Sequence, residues 1–97
     1  MTPTRRNGYL EIYIQYLCPP DVVMELMQKI KMQSGVVVED EHQEFDFYEA
    51  EILYQSELII LQYDMSIGIS VYHPEMSDAT PAQEKILEQF AKCISEL

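Results

Sequence analysis

The sequence predicts an α+β fold, a two-layer sandwich in which two helices pack on one face of an antiparallel sheet of four to five strands, in the order β-α-β-β-β-β-α. Three observations carry this. Two segments, one near each end of the chain, space their apolar residues as a helix does. Between them the period of hydrophobicity drops to two and stays there through successive segments separated by short polar turns. Both predicted helices also have one apolar face each, and the economical packing of those faces is two layers. With 97 residues there is room for one core. Residues 9–97 are therefore expected to form a single domain, and residues 1–8, which include Pro3 and Gly8, a flexible arm.

The first strand is read from YLEIYIQYL, which sets Leu10, Ile12, Ile14 and Tyr16 on one side and Tyr9, Glu11, Tyr13 and Gln15 on the other. Cys18-Pro19-Pro20-Asp21 ends it, because proline cannot continue a ladder but suits the first turn of a helix, where Asp21 meets the positive end of the dipole. The helix that follows lines up Val23, Leu26, Met27 and Ile30, carries Lys29 and Lys31 near its end, and stops at Ser34-Gly35.

From Val36 the pattern predicts a short strand VVVE, a polar loop EDEHQ and a longer strand FYEAEILY with Tyr48, Ala50, Ile52 and Tyr54 on one face. Gln55-Ser56-Glu57 and Asp64-Met65-Ser66 read as turns into LIILQY and IGISVYH, giving an antiparallel meander. The last strand is expected to point Ile67, Ile69 and Val71 one way and Gly68, Ser70 and Tyr72 the other. Thr80-Pro81-Ala82-Gln83 then supplies an N-cap, a proline at the first helical position and a capping-box glutamine. The final helix carries Ile86, Leu87, Phe90, Ala91, Ile94 and Leu97 on one stripe. The expected core is Ile12, Ile14, Leu26, Ile30, Ile69, Val71, Ile86, Phe90 and Ile94.

The charge is unusually one-sided. The formal net charge is −11, and residues 32–84 hold every acid from Glu39 to Glu84 with no lysine or arginine among them. The stretch EDEHQEFDFYEAE, from Glu39 to Glu51, interleaves acids with Phe45, Phe47 and Tyr48. Direct nucleic-acid binding is disfavoured, since phosphates must be neutralised by basic groups. Arg5 and Arg6 are followed by no apolar signal core, and no apolar run approaches the ~18 residues of a membrane span. Cys18 and Cys93 lack metal or redox spacing. A cytoplasmic protein that does not engage membranes is expected.

A catalytic reading lacks its parts. His42 and His73 have no nucleophile motif beside them, no phosphate loop or GxSxG occurs, and Glu39, Asp40, Glu41 and His42 do not follow a calcium-loop pattern. No cofactor, metal or catalytic residue is expected. A two-layer sheet instead leaves one face open, and the alternation places tyrosines and carboxylates on it. The expected partner-binding residues are Tyr9, Glu11, Tyr13, Glu39, Asp40, Glu41, Glu44, Asp46, Glu49, Glu51 and Tyr72. In general character, small and acidic with a helix-backed antiparallel sheet, the chain resembles immunity proteins and phage-encoded inhibitors. That likeness is compositional and covers no motif. The expectation is a non-enzymatic binding protein that masks a basic surface of a protein partner, such as a toxin nuclease or a nucleic-acid-binding defence complex. The alternative is a structural or regulatory subunit of a homo-oligomer, for instance a homodimer, in which the acids give solubility only.

Overall fold

The computed structural model describes residues 1–5 and 7–97. Along the chain run β1 (Thr2–Thr4), β2 (Glu11–Tyr16), α1 (Pro20–Lys31), β3 (Val36–Gln43), β4 (Phe47–Tyr54), β5 (Glu57–Asp64), β6 (Gly68–Tyr72), a 3₁₀ turn (Met76–Asp78) and α2 (Pro81–Ser95). The six strands form one sheet in the order β1-β2-β6-β5-β4-β3, every neighbouring pair antiparallel.

Local chemistry sets the helix ends. α1 begins at Pro20 after an extended Pro19 and takes Asp21 into its first turn, then ends with Lys29 and Lys31 near its negative pole. Gly35, at φ +80, lets the chain turn back into β3. At the start of α2 the Thr80 hydroxyl accepts from the Gln83 N–H at 3.2 Å, and the Gln83 side chain accepts from the Thr80 N–H at 2.9 Å. These reciprocal bonds satisfy two amides that the helix cannot satisfy itself. Upstream, the Arg5 guanidinium forks onto Glu84 at 2.8 and 3.1 Å, tying the segment before β2 to α2.

One core cluster takes residues from both helices and from one face of the sheet. Val23, Met27 and Ile30 of α1 and Leu87, Phe90, Ala91 and Ile94 of α2 meet Ile12, Ala50, Ile52, Ile59, Leu61, Ile69 and Val71. Of the expected core, Ile14 and Leu26 are only partly buried, and Ile86 is half-buried because the inward position of its turn belongs to Leu87. Tyr63 is buried among these residues and donates its hydroxyl to the Cys18 carbonyl at 2.7 Å. Cys18 itself lies in the core, where burial pushes its thiol up from the ordinary range rather than activating it.

The strands depart from the sequence reading at four places. The sheet has six strands, not four or five, because Thr2–Thr4 pairs with β2 through Thr2↔Tyr13, Pro3↔Ile12 and Thr4↔Glu11. Second, the polar EDEHQ stretch is not a loop. It continues β3 to Gln43, and a bulge between Val38 and Asp40 breaks the alternation that would have marked it as a strand. An edge strand faces water and tolerates charge on both sides, so hydrophobic periodicity is a poor guide there.

Third, β2 bulges between Tyr13 and Gln15, which shifts the faces of its last residues. Tyr16 is consequently turned away from the core, with its ring stacked on Tyr13 at 4.8 Å, and Gln15 is displaced from the open face. Fourth, Ile67 is not in the last strand. It belongs to the β5–β6 turn, where its N–H donates to the Asp64 carbonyl, and it is exposed. The β4–β5 turn is unusual as well, since Gln55 and Ser56 both adopt positive φ, at 49° and 66°, a conformation that two-residue hairpins usually assign to Asn and Gly.

Candidate interaction face

The cross-strand register runs two parallel rows across the middle of the sheet face opposite the core. One runs Thr4, Glu11, Tyr72, Ile60, Glu51, Asp40, and the next runs Thr2, Tyr13, Ser70, Gln62, Glu49, His42. The core row Pro3, Ile12, Val71, Leu61, Ala50, Glu41 lies between them on the other side, as pleating requires.

Among the described residues no helix covers this face, yet its centre is closely packed. Glu11 is 8% exposed, Tyr13 5%, Ser70 3% and Tyr72 9%. The side chains shelter one another. Tyr9 tilts against Tyr72 with ring centroids 5.7 Å apart, Tyr13 stacks on Tyr16, and the Ser70 hydroxyl donates to Glu11 Oε2 at 2.7 Å. Burial, with Glu49, Tyr9 and Glu11 nearby, pushes the Tyr72 hydroxyl up to about 12, because a phenolate there would be poorly hydrated and beside carboxylates.

A small cleft opens at one end of this centre, lined by Glu11, Tyr13, Gln62, Asp64, Ile67, Gly68 and Ser70. Gly68 forms part of its wall. Its φ is +132, and a Cβ at that position would lie 2.2 Å from the Gln15 carbonyl oxygen and 2.8 Å from Tyr16 Cα. The bulge in β2 and β6 thus approach each other as only glycine permits, since the β2 backbone fills the space a side chain would need.

Of the residues expected to bind a partner, Tyr9, Glu11, Tyr13, Asp40, Glu49, Glu51 and Tyr72 are brought together on this face. Glu44 and Asp46 are exposed in the β3–β4 turn at one end of the sheet, and Glu39 sits at the β3 bulge. Glu41 lies on the other side of the sheet. There it accepts from the Tyr48 hydroxyl and from Lys31 Nζ at 2.9 Å, beside a cleft of about 370 Å³ lined by Met24, Met27, Gln28 and Gln43 as well. The bonds from Tyr48 and Lys31 hold the Glu41 carboxyl below its ordinary range, and burial together with Glu41 pushes the Tyr48 hydroxyl up.

Gln62 and Asp64 also line the face. Period-two reading of LIILQYD places both with Ile60, and their polarity is the signal that was available. Tyr16 had no such signal, since bulges leave no mark in hydrophobic alternation.

The two histidines are differently employed. His42 is exposed, 3.9 Å from Glu44. His73 is buried, and its Nδ1 accepts the Glu75 N–H at 3.1 Å while Nε2 lies 3.0 Å from Glu57 Oε1. A backbone N–H can only donate, so in the neutral ring the proton sits on Nε2 and points at Glu57. The lone pair that a general base would use is already engaged.

Among the described residues no group of three or more His, Cys, Asp or Glu side chains is placed to hold a metal ion, and no helix is long and apolar enough to cross a membrane. No protein-family model, curated protein or solved structure matches the chain.

Proposed function

We propose that the protein is a small acidic binding protein, of inhibitor or immunity type, whose open sheet face masks a basic surface of a protein partner such as a nuclease or nucleic-acid-binding complex. The observation that carries this reading is the juxtaposition of tyrosine rings with the carboxylates of Glu11, Glu49, Glu51 and Asp40 on a face that no Lys or Arg of the described residues enters. The four lysines lie on α1 and α2, and Arg5 is bound to Glu84. Rings anchor an interface through apolar area and a polar tip, while a one-signed field speeds encounter with an oppositely charged partner.

The test is charge reversal. Glu49→Lys with Glu51→Lys changes half-buried positions on the open face, so the fold should persist by circular dichroism. Wild-type protein immobilised as bait should retain a basic protein from host lysate, and the double variant should not. With that partner purified, its dissociation constant should weaken as ionic strength rises. An unchanged dissociation constant for the double variant at low salt would eliminate the reading, and a salt-tolerant self-association of the chain would favour the homo-oligomeric subunit instead.

A further inference from the structure

Exposed apolar side chains gather at one end of the sheet. Among the described residues nine large apolar side chains are exposed, and five of them, Tyr16, Leu17, Phe45, Met65 and Ile67, lie on the corner and turns of that end. The backbone joins them into a row. Leu17 donates its N–H to the Ile67 carbonyl at 3.0 Å and Met65 donates its N–H to the Asp46 carbonyl at 3.0 Å, so the end of β2, the β5–β6 turn and the β3–β4 turn run side by side. Apolar residues scattered over a surface are ordinary, whereas a row of them marks a contact.

The row is presented by ordered backbone. Leu17 adopts φ 46°, disfavoured for a bulky side chain, and in that conformation the side chain is 75% exposed, so burial does not offset the strain. Phe45, 89% exposed, stands in a turn closed by the Glu44 N–H donating to the Phe47 carbonyl at 2.8 Å. In the neighbouring turn the Asp64 carboxylate accepts from the Ser66 N–H at 2.8 Å and from its hydroxyl at 2.6 Å, which fixes the segment carrying Met65 and Ile67. Ordering in advance lowers the entropy that binding must remove.

Charge decides what covers the row. The turns hold Glu44, Asp46 and Asp64, Asp21 opens α1 behind the Leu17 corner, and no lysine or arginine lies in these segments. A second copy would set these acids against their own counterparts, and an anionic bilayer would repel them. A protein with an apolar pocket bordered by lysine or arginine suits both the row and its charge.

We infer that this end of the sheet is the apolar anchor of the interface, where Leu17, Phe45, Met65 and Ile67 enter a pocket of the basic protein partner and Glu44 and Asp46 meet the basic groups at its border. This rests on the binding role proposed above and adds where the grip lies, at the turns beyond the tyrosine-rich face.

The test titrates the whole protein with three blocked peptides, followed by two-dimensional amide NMR. Acetyl-Lys-Leu-Lys-Leu-Lys-Leu-Lys-amide should shift the Leu17, Phe45, Asp46, Met65 and Ile67 signals and saturate. Its serine counterpart, with the same charge and no leucine, should bind there at least threefold more weakly, and the glutamate–leucine counterpart should leave those signals in place. Leu17→Gly removes the side chain and accepts the positive φ, so it should weaken the lysine–leucine peptide at least threefold while the urea midpoint stays level or rises. Phe45→Ser, at a position in full contact with water, should weaken it by a similar factor without changing that midpoint.

A Leu17→Gly variant that loses stability and keeps affinity would overturn the anchor and make Leu17 structural. Should it lose both, Phe45→Ser decides, and unchanged affinity there would overturn the anchor. Equal binding of the serine peptide, or no saturable shift at the row, would overturn it too. A dimer seen by light scattering that Leu17→Gly disrupts would give the row to a second copy, and binding to phosphatidylcholine vesicles that the same change abolishes would give it to lipid; either would overturn the inference. If the lysine–leucine peptide mapped to Glu49, Glu51 and Asp40, and only their reversal removed it, the anchor would fall while the acidic interaction face stood. If neither set of variants changed its binding, both would fall.

Discussion

Replacing Tyr63 by phenylalanine removes one oxygen atom and tests how the corner between β2 and α1 is held. The Tyr63 ring is buried on the core side of β5, 1% exposed, and its hydroxyl is 2.7 Å from the Cys18 carbonyl. Phenylalanine keeps the ring and its packing, so the hydrophobic loss is small. What remains is a carbonyl in the core without its donor, and a buried polar group left unsatisfied costs about 1–3 kcal/mol.

That corner has little else to hold it. Leu17 sits at φ 46°, a conformation poorly suited to a bulky residue, and is fixed by donating its N–H to the Ile67 carbonyl at 3.0 Å. Pro19 and Pro20 bring no N–H to the corner. A domain of this size is stable by roughly 5–15 kcal/mol, so the loss is a sizeable share. It corresponds to a fall in Tm of about 4–8 °C for each kcal/mol. Urea denaturation followed by circular dichroism measures it, and the slope should stay constant while the midpoint falls. A loss below about 0.5 kcal/mol would mean that water replaces the hydroxyl at Cys18 and that the corner does not depend on Tyr63.

Two further outcomes are expected. Phe90→Ala should cost about 3–5 kcal/mol, because the side chain is fully buried and its ring packs tilted against Tyr54 at 5.1 Å; a urea-measured loss below about 1 kcal/mol would mean that α2 does not dock on the sheet through this residue. Stability should also fall in alkali. The Tyr72 hydroxyl is raised in the folded state from its ordinary 10.0 to about 12 by burial and then by Glu49, so the folded protein holds its proton more tightly than the unfolded chain. The sign follows: stabilisation is complete below pH 10 and is lost as pH climbs toward 12. Absorbance of phenolate at 295 nm should show this late-titrating ring ionising with unfolding, and a full complement of tyrosines ionising near pH 10 in the native protein would contradict it.

The helices and the four inner strands were legible because each buries one face against the other layer, and burial is what hydrophobic periodicity records. Val23, Met27 and Ile30 in α1, and Ala50, Ile52, Ile69 and Val71 in the sheet, all fall where the spacing placed them. The edges were less legible for the same reason. β3 is wet and bulged, and β1, with Pro3 at its centre, carries no pattern in three residues.

The candidate face was readable as far as alternation reached, which covers Glu11, Tyr13, Glu49, Glu51 and Tyr72. Glu41 was displaced to the other side by the β3 bulge, and Tyr16 was delivered to the open face by the bulge in β2. Both shifts arise from one inserted residue, a backbone event that side-chain polarity does not announce.

The turn between β4 and β5 bears on how the chain finds its structure. Gln55 and Ser56 have no intrinsic liking for the positive φ they adopt, so the turn does little to start the hairpin. Alignment must instead come from the strands, whose ladder of eight pairs from Phe47↔Asp64 to Tyr54↔Glu57 matches Ile52 to Ile59 and Ala50 to Leu61. A slip of one residue would turn those inward side chains to water and carry Glu49 and Glu51 into the core, so misregistered hairpins are penalised at several positions at once. The acids that give the open face its charge therefore also act during folding, as markers that reject the wrong register.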